Sequence, residues 1–156
     1  MQSFKPEVIS IADACLGSLR GRSALIIGPE ELRRPYVLLL EQAKMKHVYQ
    51  EDTPQHISPL LRSVQLLLSI PSQNPQESTV SAVSIAMGCD NRQTPLFIFD
   101  LAEQSSVEEM VELLPMVCLY TPDDLRHILT KKRYTHKIVH NSSLAGRGQA
   151  ASIARS

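Results

Sequence analysis

Five short apolar runs alternate with segments of helical period along this chain, and no other feature restricts its fold as much. The runs cover residues 23–27, 47–50, 64–70, 96–100 and 116–120, the second being the weakest. Short runs of this kind, bounded by turn residues, suit strands buried on both faces of a sheet. Between them the apolar positions recur at helical spacing. Val8, Ile9, Ile11, Ala12, Cys15, Leu16 and Leu19 predict an amphipathic helix over 7–19. Residues 31–45 predict a second helix, with Val37, Leu38, Leu39 and Leu40 facing inward, and 76–88 a third, with Val80, Val83, Ile85 and Ala86 on its apolar side.

Turn and cap residues punctuate the pattern. Gly21 breaks the first helix, and Gly28-Pro29 closes the first strand. Thr53-Pro54 reads as an N-cap followed by a proline at the first helical position, a place that suits its fixed φ, although Pro59 sits awkwardly in the segment behind it. Residues 71–75 read as a loop. Ser105 and Glu108 have capping-box spacing and predict a helix over 106–113. Thr121-Pro122-Asp123-Asp124 predicts another helix start, with carboxylates at the positive end of the dipole and a basic far end near Lys132. From residue 135 small and polar residues dominate. The expected organisation is one folded domain over 1–134 and a basic, flexible tail over 135–156. Strands alternating with helices predict an α/β fold: a Rossmann-like, doubly wound parallel sheet of about five strands with helices on both faces.

Charge is balanced, with 16 basic and 16 acidic residues in 156. The balance conceals an asymmetry. No acid follows Asp124, whereas Arg126, Lys131, Lys132, Arg133, Lys137, Arg147 and Arg155 do. That end reads first as a solvated helix end and tail, and alternatively as a surface for phosphate or an acidic partner. Aromatic content is only 4%, too thin for base stacking, so nucleic acid is not expected as a partner of this domain. No run reaches the ~18 apolar residues of a membrane span, and no secretory leader is evident. Cys15, Cys89 and Cys118 lie in apolar runs far apart, which predicts buried free thiols and a cytoplasmic setting. His136 and His140 are four apart but lack further ligands, so no metal site is expected.

In a doubly wound sheet the ligand edge lies at the carboxyl ends of the strands, where the first strand turns into its helix. A pyrophosphate-binding turn there has the pattern G-x-G-x-x-G. The first glycine makes the turn, the second admits the pyrophosphate and the third lets helix and strand pack closely. This chain has Gly28-Pro29-Glu30-Glu31-Leu32-Arg33. Glu30 brings bulk and negative charge to the second position, Pro29 removes a backbone donor, and Arg33 takes the third. Either Arg33 or Arg34 supplies a compensating cation, or both are ordinary helix-surface residues. Asp100 ends a buried strand at the same edge; it lines the cleft or caps a nearby turn.

Several pieces, in order, resemble the NAD(P)-binding domain of the glutamyl-tRNA reductase family, across roughly residues 8–132. They are Ile9-Ser10-Ile11-Ala12-Asp13-Ala14, the stretch from Leu19 to Gly28, Pro95-Leu96-Phe97-Ile98-Phe99-Asp100-Leu101-Ala102, and the stretch from Val117 to Leu125. The resemblance implies a site for NADP or NAD built from Gly28, Glu30, Glu31, Leu32, Arg33, Glu51, Ser69 and Asp100. It also implies a role in NADPH-dependent reduction of glutamyl-tRNA to glutamate-1-semialdehyde in tetrapyrrole biosynthesis.

The phosphate-facing positions depart from the family pattern. Besides the first turn, Gln50-Glu51-Asp52-Thr53 stands where the family has an Asn-Arg-Thr stretch, and its carboxylates repel a 2′-phosphate. An acid there could instead accept from a ribose hydroxyl and favour NAD. Ser69-Ile70-Pro71-Ser72 and Glu103-Gln104-Ser105-Ser106 are altered in the same way.

The family's nucleophilic cysteine belongs to a separate catalytic domain, so no catalytic residue is expected here. Two readings stand. The chain is the nucleotide-binding domain of a glutamyl-tRNA reductase-like protein, served by a separate catalytic domain or another tetrapyrrole-pathway protein. Alternatively it is a degenerate Rossmann-like interaction or regulatory module, with no cofactor. A third and weaker reading gives the cleft another small ligand. A homodimer is compatible with each.

Overall fold

The computed structural model describes residues 5–71, 80–102 and 105–141, with side chains to residue 131. The strands are β1 (Ser23–Ile27), β2 (His47–Glu51), β3 (Leu66–Ser69), β4 (Leu96–Asp100) and β5 (Val117–Tyr120). The helices are α1 (Lys5–Leu16), α2 (Glu30–Gln42), α3 (Ser58–Leu61), α4 (Ala82–Gly88) and α5 (Pro122–Asn141), with a 3₁₀ helix at Glu109–Leu113. All strand pairs are parallel, in the order β2-β1-β3-β4-β5. The expected α/β fold is therefore the observed one.

The central strands show why their sequences lack alternation. β1 and β3 are buried at every position, because helices cover both faces. Successive side chains feed opposite cores. Ala24, Ile26, Leu66, Leu68 and Phe99 join α1, α2 and α5 on one face. Leu25, Ile27, Leu67, Leu96 and Ile98 join α3, α4 and the 3₁₀ helix on the other. The edge strands β2 and β5 have only one neighbour each and carry the more polar sequences.

Several local expectations change. Thr53-Pro54 starts no helix; Pro59, the residue that looked out of place, sits in the first turn of the short α3, where its missing N–H costs no helical bond. Ser105 and Glu108 form no capping box. Glu108 instead accepts from the backbone N–H of Ala82 at 2.7 Å, and Ser81 caps α4 by accepting from Ser84 N at 3.1 Å. The third helix accordingly begins at Ala82. Val80, expected within it, is in a parallel bridge with Val107.

In α2, Tyr36, Val37 and Leu40 are buried while Leu38 is 54% exposed. Four consecutive helical residues cannot share one face. Cys118 is exposed and Cys15 and Cys89 are half-buried, so the buried-thiol expectation fails at β5, an edge strand. The last helix start is as expected: Thr121 Oγ1 accepts from Asp124 N and Asp124 Oδ2 accepts from Thr121 N, both at 3.1 Å. The helix continues past Lys132 to Asn141, and no glycine or proline interrupts the sequence between Pro122 and Gly146. The 71–75 loop beyond Pro71, Glu103, Gln104 and the segment 142–156 lie outside the described residues, as do the side chains of His136 and His140.

Candidate functional site

Parallel register brings the carboxyl ends of four strands into one row. Glu51 of β2 pairs with Ile27 of β1, Ile27 with Ser69 of β3, and Ser69 with Asp100 of β4. Gly28 follows Ile27 directly. The expected residues Gly28, Glu51, Ser69 and Asp100 therefore meet at one edge, at the point where the chain passes from β1 to opposite sides of the sheet.

Gly28 has φ +146°, and a Cβ there would lie 2.7 Å from Ile70 Cβ. Only glycine fits so close to the next loop. Its N–H donates to the Glu51 carbonyl at 2.9 Å, which ties the turn to the end of β2. Pro29, at the N-cap of α2, offers neither a backbone donor nor a side-chain cap. Glu30, Glu31 and Leu32 follow in the first turn, all exposed.

Arg33 occupies this turn rather than facing out of it. Its side chain is 12% exposed, and its Nη1 donates to the Gly28 carbonyl at 2.7 Å and to Asp52 Oδ1 at 2.6 Å. Its Nε donates to Gln50 Oε1 at 2.9 Å. Arg34 pairs with Glu30 at 3.4 Å, one helical turn away and well exposed. Both cations that the sequence offered to a phosphate at this turn thus have carboxylate partners within the chain. Gln50 and Asp52 were not singled out as site residues. For Asp52 the signal in the sequence was charge complementarity with Arg33; the neutral Gln50 carried none.

Asp100 is the other fixed point. It is 1% exposed. Oδ2 accepts from Ser106 N at 2.8 Å and Val107 N at 3.1 Å. Oδ1 accepts from Ser106 Oγ at 2.8 Å and Ala102 N at 3.2 Å. Ser106 Oγ in turn shares a hydrogen bond of 2.9 Å with Ser69 Oγ. Of the two roles open to Asp100, capping the following turn is the one observed. Ser69 is wholly buried and belongs to the same network. Ser106, which closes it, carried no sequence signal beyond its hydroxyl. Among the described residues no buried side-chain polar atom lacks a partner, and no group of three His, Cys, Asp or Glu is placed to hold a metal ion.

The comparisons with known proteins point one way. A glutamyl-tRNA reductase from Sulfurihydrogenibium sp. is 24% identical over 154 residues, covering 87% of this chain. One from Methanospirillum hungatei is 27% identical over 149 residues, covering 81%. The chain resembles the glutamyl-tRNA reductases over most of its length. It spans about a third of those relatives, 34% and 35% of their lengths. Among solved structures, the glutamyl-tRNA reductase from Methanopyrus kandleri superposes with a TM-score of 0.60 over 94% of this chain and 39% of that one. At 18% identity this likeness shows the fold: a glutamyl-tRNA reductase-like, Rossmann-type sheet. No family model matches the chain.

The remaining titratable groups of note belong to neither the Arg33 nor the Asp100 network. Cys15 Sγ donates to Tyr120 Oη at 3.3 Å, and burial raises the pKa of both groups. Burial pushes Tyr36, on α2, up to about 12. No described helix is long and apolar enough to cross a membrane.

Proposed function

We propose that this chain is the counterpart of the nucleotide-binding domain of a glutamyl-tRNA reductase-like protein, kept as a non-catalytic interaction module with its dinucleotide edge closed. The observation that carries this reading is the Arg33 clamp. A guanidinium bound to Gly28, Gln50 and Asp52 fills the turn in which a glycine would admit a pyrophosphate. Glu30 and Glu31 head α2, so an incoming phosphate meets carboxylates where the helix dipole would otherwise attract it. Releasing Arg33 for a phosphate would leave Asp52 without its partner and add a further repulsive charge.

In this reading the sheet serves a protein partner, and tetrapyrrole biosynthesis is the pathway that the family likeness favours. A reducing, cytoplasmic setting fits three free cysteines.

Calorimetric titration of the purified chain with NADPH and with NADH tests the proposal. No heat of binding is expected at millimolar cofactor. Micromolar affinity for either would overturn the closed-edge reading and restore Gly28, Glu30, Glu31, Leu32, Arg33, Glu51, Ser69 and Asp100 as a working cofactor site, with NADP or NAD as its ligand.

A further inference from the structure

The helical layer opposite α5 is the least finished surface of the described molecule. Val83 and Met87, four apart on α4, are 68% and 63% exposed; Met110 and Leu113, three apart on the 3₁₀ helix, are 67% and 79% exposed. Such spacings put each pair on one side of its helix. The inward positions Ile85, Gly88 and Val111 are buried, so the four apolar side chains point away from the sheet. The two helices adjoin. Glu108, just before the 3₁₀ helix, holds the first amide of α4, and Val80 and Val107 are bridged behind them. Single exposed apolar residues are ordinary, but four on adjacent short helices make a candidate contact surface.

The two helices themselves carry only negative charge. Glu109 and Glu112 lie on the same 3₁₀ helix, and Asp90 is exposed just beyond α4. Between Ala82 and Tyr120 the sequence has one basic residue, Arg92. Its guanidinium is held by the Leu61, Val64, Thr94 and Pro95 carbonyls. An apolar face with acidic residues calls for a basic segment with apolar residues of its own.

The chain carries such a segment. From Thr130 to Asn141 it has Lys131, Lys132, Arg133 and Lys137, interleaved with Tyr134, Ile138 and Val139, and no acid. This stretch belongs to α5, whose buried anchors Leu125, Ile128 and Leu129 sit on the other sheet face with α1 and α2. A helix of 20 residues is about 30 Å long. Strands of four or five residues span only about 13–17 Å. The far half of α5 therefore outruns the sheet it packs on, and the opposite face of its own domain is out of its path.

We infer that the α4–3₁₀ face is an interface for a second copy of this chain and takes the basic far half of that copy's α5. Two copies exchange the contact reciprocally, since each presents both surfaces. This deepens the interaction-module reading above and rests on it for its functional meaning. The association itself is measured independently of the cofactor.

Sedimentation equilibrium of the whole chain, with circular dichroism as a check on folding, tests the interface. A dimer is expected that weakens as salt rises. Met110→Asp with Leu113→Asp, at exposed positions, is expected to weaken it by about tenfold or more while leaving the circular dichroism spectrum unchanged. Glu109→Lys with Glu112→Lys, and separately Lys131→Glu with Lys132→Glu, should each weaken self-association. Mixing these two charge-reversed proteins should restore a heterodimer, because both of its reciprocal contacts then pair opposite charges.

A chain that stays monomeric into the millimolar range overturns the inference, whether the face is then covered by its own C-terminal segment or by a different protein. So does a dimer indifferent to all of these substitutions. NADPH titration of the same samples keeps the readings apart: binding would sink the closed edge without touching the dimer result.

Discussion

Arg33 and Asp52 meet at 2.6 Å across the carboxyl ends of β1 and β2, joining the first turn of α2 to the residue after the second strand. The arginine is largely covered and the aspartate 78% exposed. Solvent screening therefore limits the pair itself, and Asp52→Asn should cost only about 0.2–1 kcal/mol. Arg33→Ala removes the bonds to Gly28 and Gln50 as well and should cost about 1–2 kcal/mol. Urea unfolding of the two variants checks the order. Equal losses would mean that the clamp is no more than a surface ion pair.

Asp100 should be far less replaceable. Asp100→Ala strands the backbone donors of Ala102, Ser106 and Val107 in a buried place, and the expected loss is about 3–5 kcal/mol. Ser106→Ala removes only a hydroxyl shared between Asp100 and Ser69 and should cost about 1 kcal/mol. Chemical denaturation of both variants gives the ratio. A loss under 1 kcal/mol for Asp100→Ala would show that the network does not hold this edge.

Lys44 offers a gain. It follows α2 with φ +66°, the left-handed conformation that glycine adopts without strain and other residues do not. Lys44→Gly should raise stability by about 0.5–1 kcal/mol, since relief of that strain outweighs the added freedom of the unfolded chain. Its backbone carbonyl, which accepts from Gly21 N, is unaffected. A lowered thermal midpoint would count against this account of the turn.

Tyr36 predicts the alkaline limb. Its folded pKa is pushed up to about 12 from an ordinary value of 10.0 by burial. The unfolded chain therefore loses its phenol proton first, and stability that is complete below about pH 10 declines as pH rises toward 12. Tyr36→Phe has no proton to lose, so its stability should fall less over that interval than the parent's. Identical pH profiles of unfolding free energy for the two proteins would refute the assignment.

The strands were legible because burial on both faces leaves a strong signature. In β1 and β4 the apolar runs coincide with the observed elements, Ser23–Ile27 and Leu96–Asp100. The helix start at Thr121 was legible for a different reason: threonine, proline and aspartate at fixed offsets satisfy amides locally, with no help from the rest of the fold. Ser105 and Glu108 have the same kind of spacing and do something else. Glu108 directly precedes the 3₁₀ helix, yet its carboxylate accepts from the first amide of α4 instead.

The candidate site divides the same way. Gly28 and the altered residues behind it could be read in line, because their spacing places them on one turn. The side-chain partners of Arg33 lie 17 and 19 positions away, and the donors to Asp100 include a serine six positions on. Neither pairing has a sequence period.

The order of apolar segments and the local chemistry of turns by themselves determined an α/β sheet whose first strand ends at the Gly28 turn. Hydrophobic periodicity and cap geometry act over a few residues and need no tertiary partner. Tertiary structure alone decided that Arg33 turns inward onto Asp52 and that Asp100 closes its own loop. Parallel strands bring together groups distant in the chain, and a buried charge or carboxylate takes whichever partner the register sets beside it.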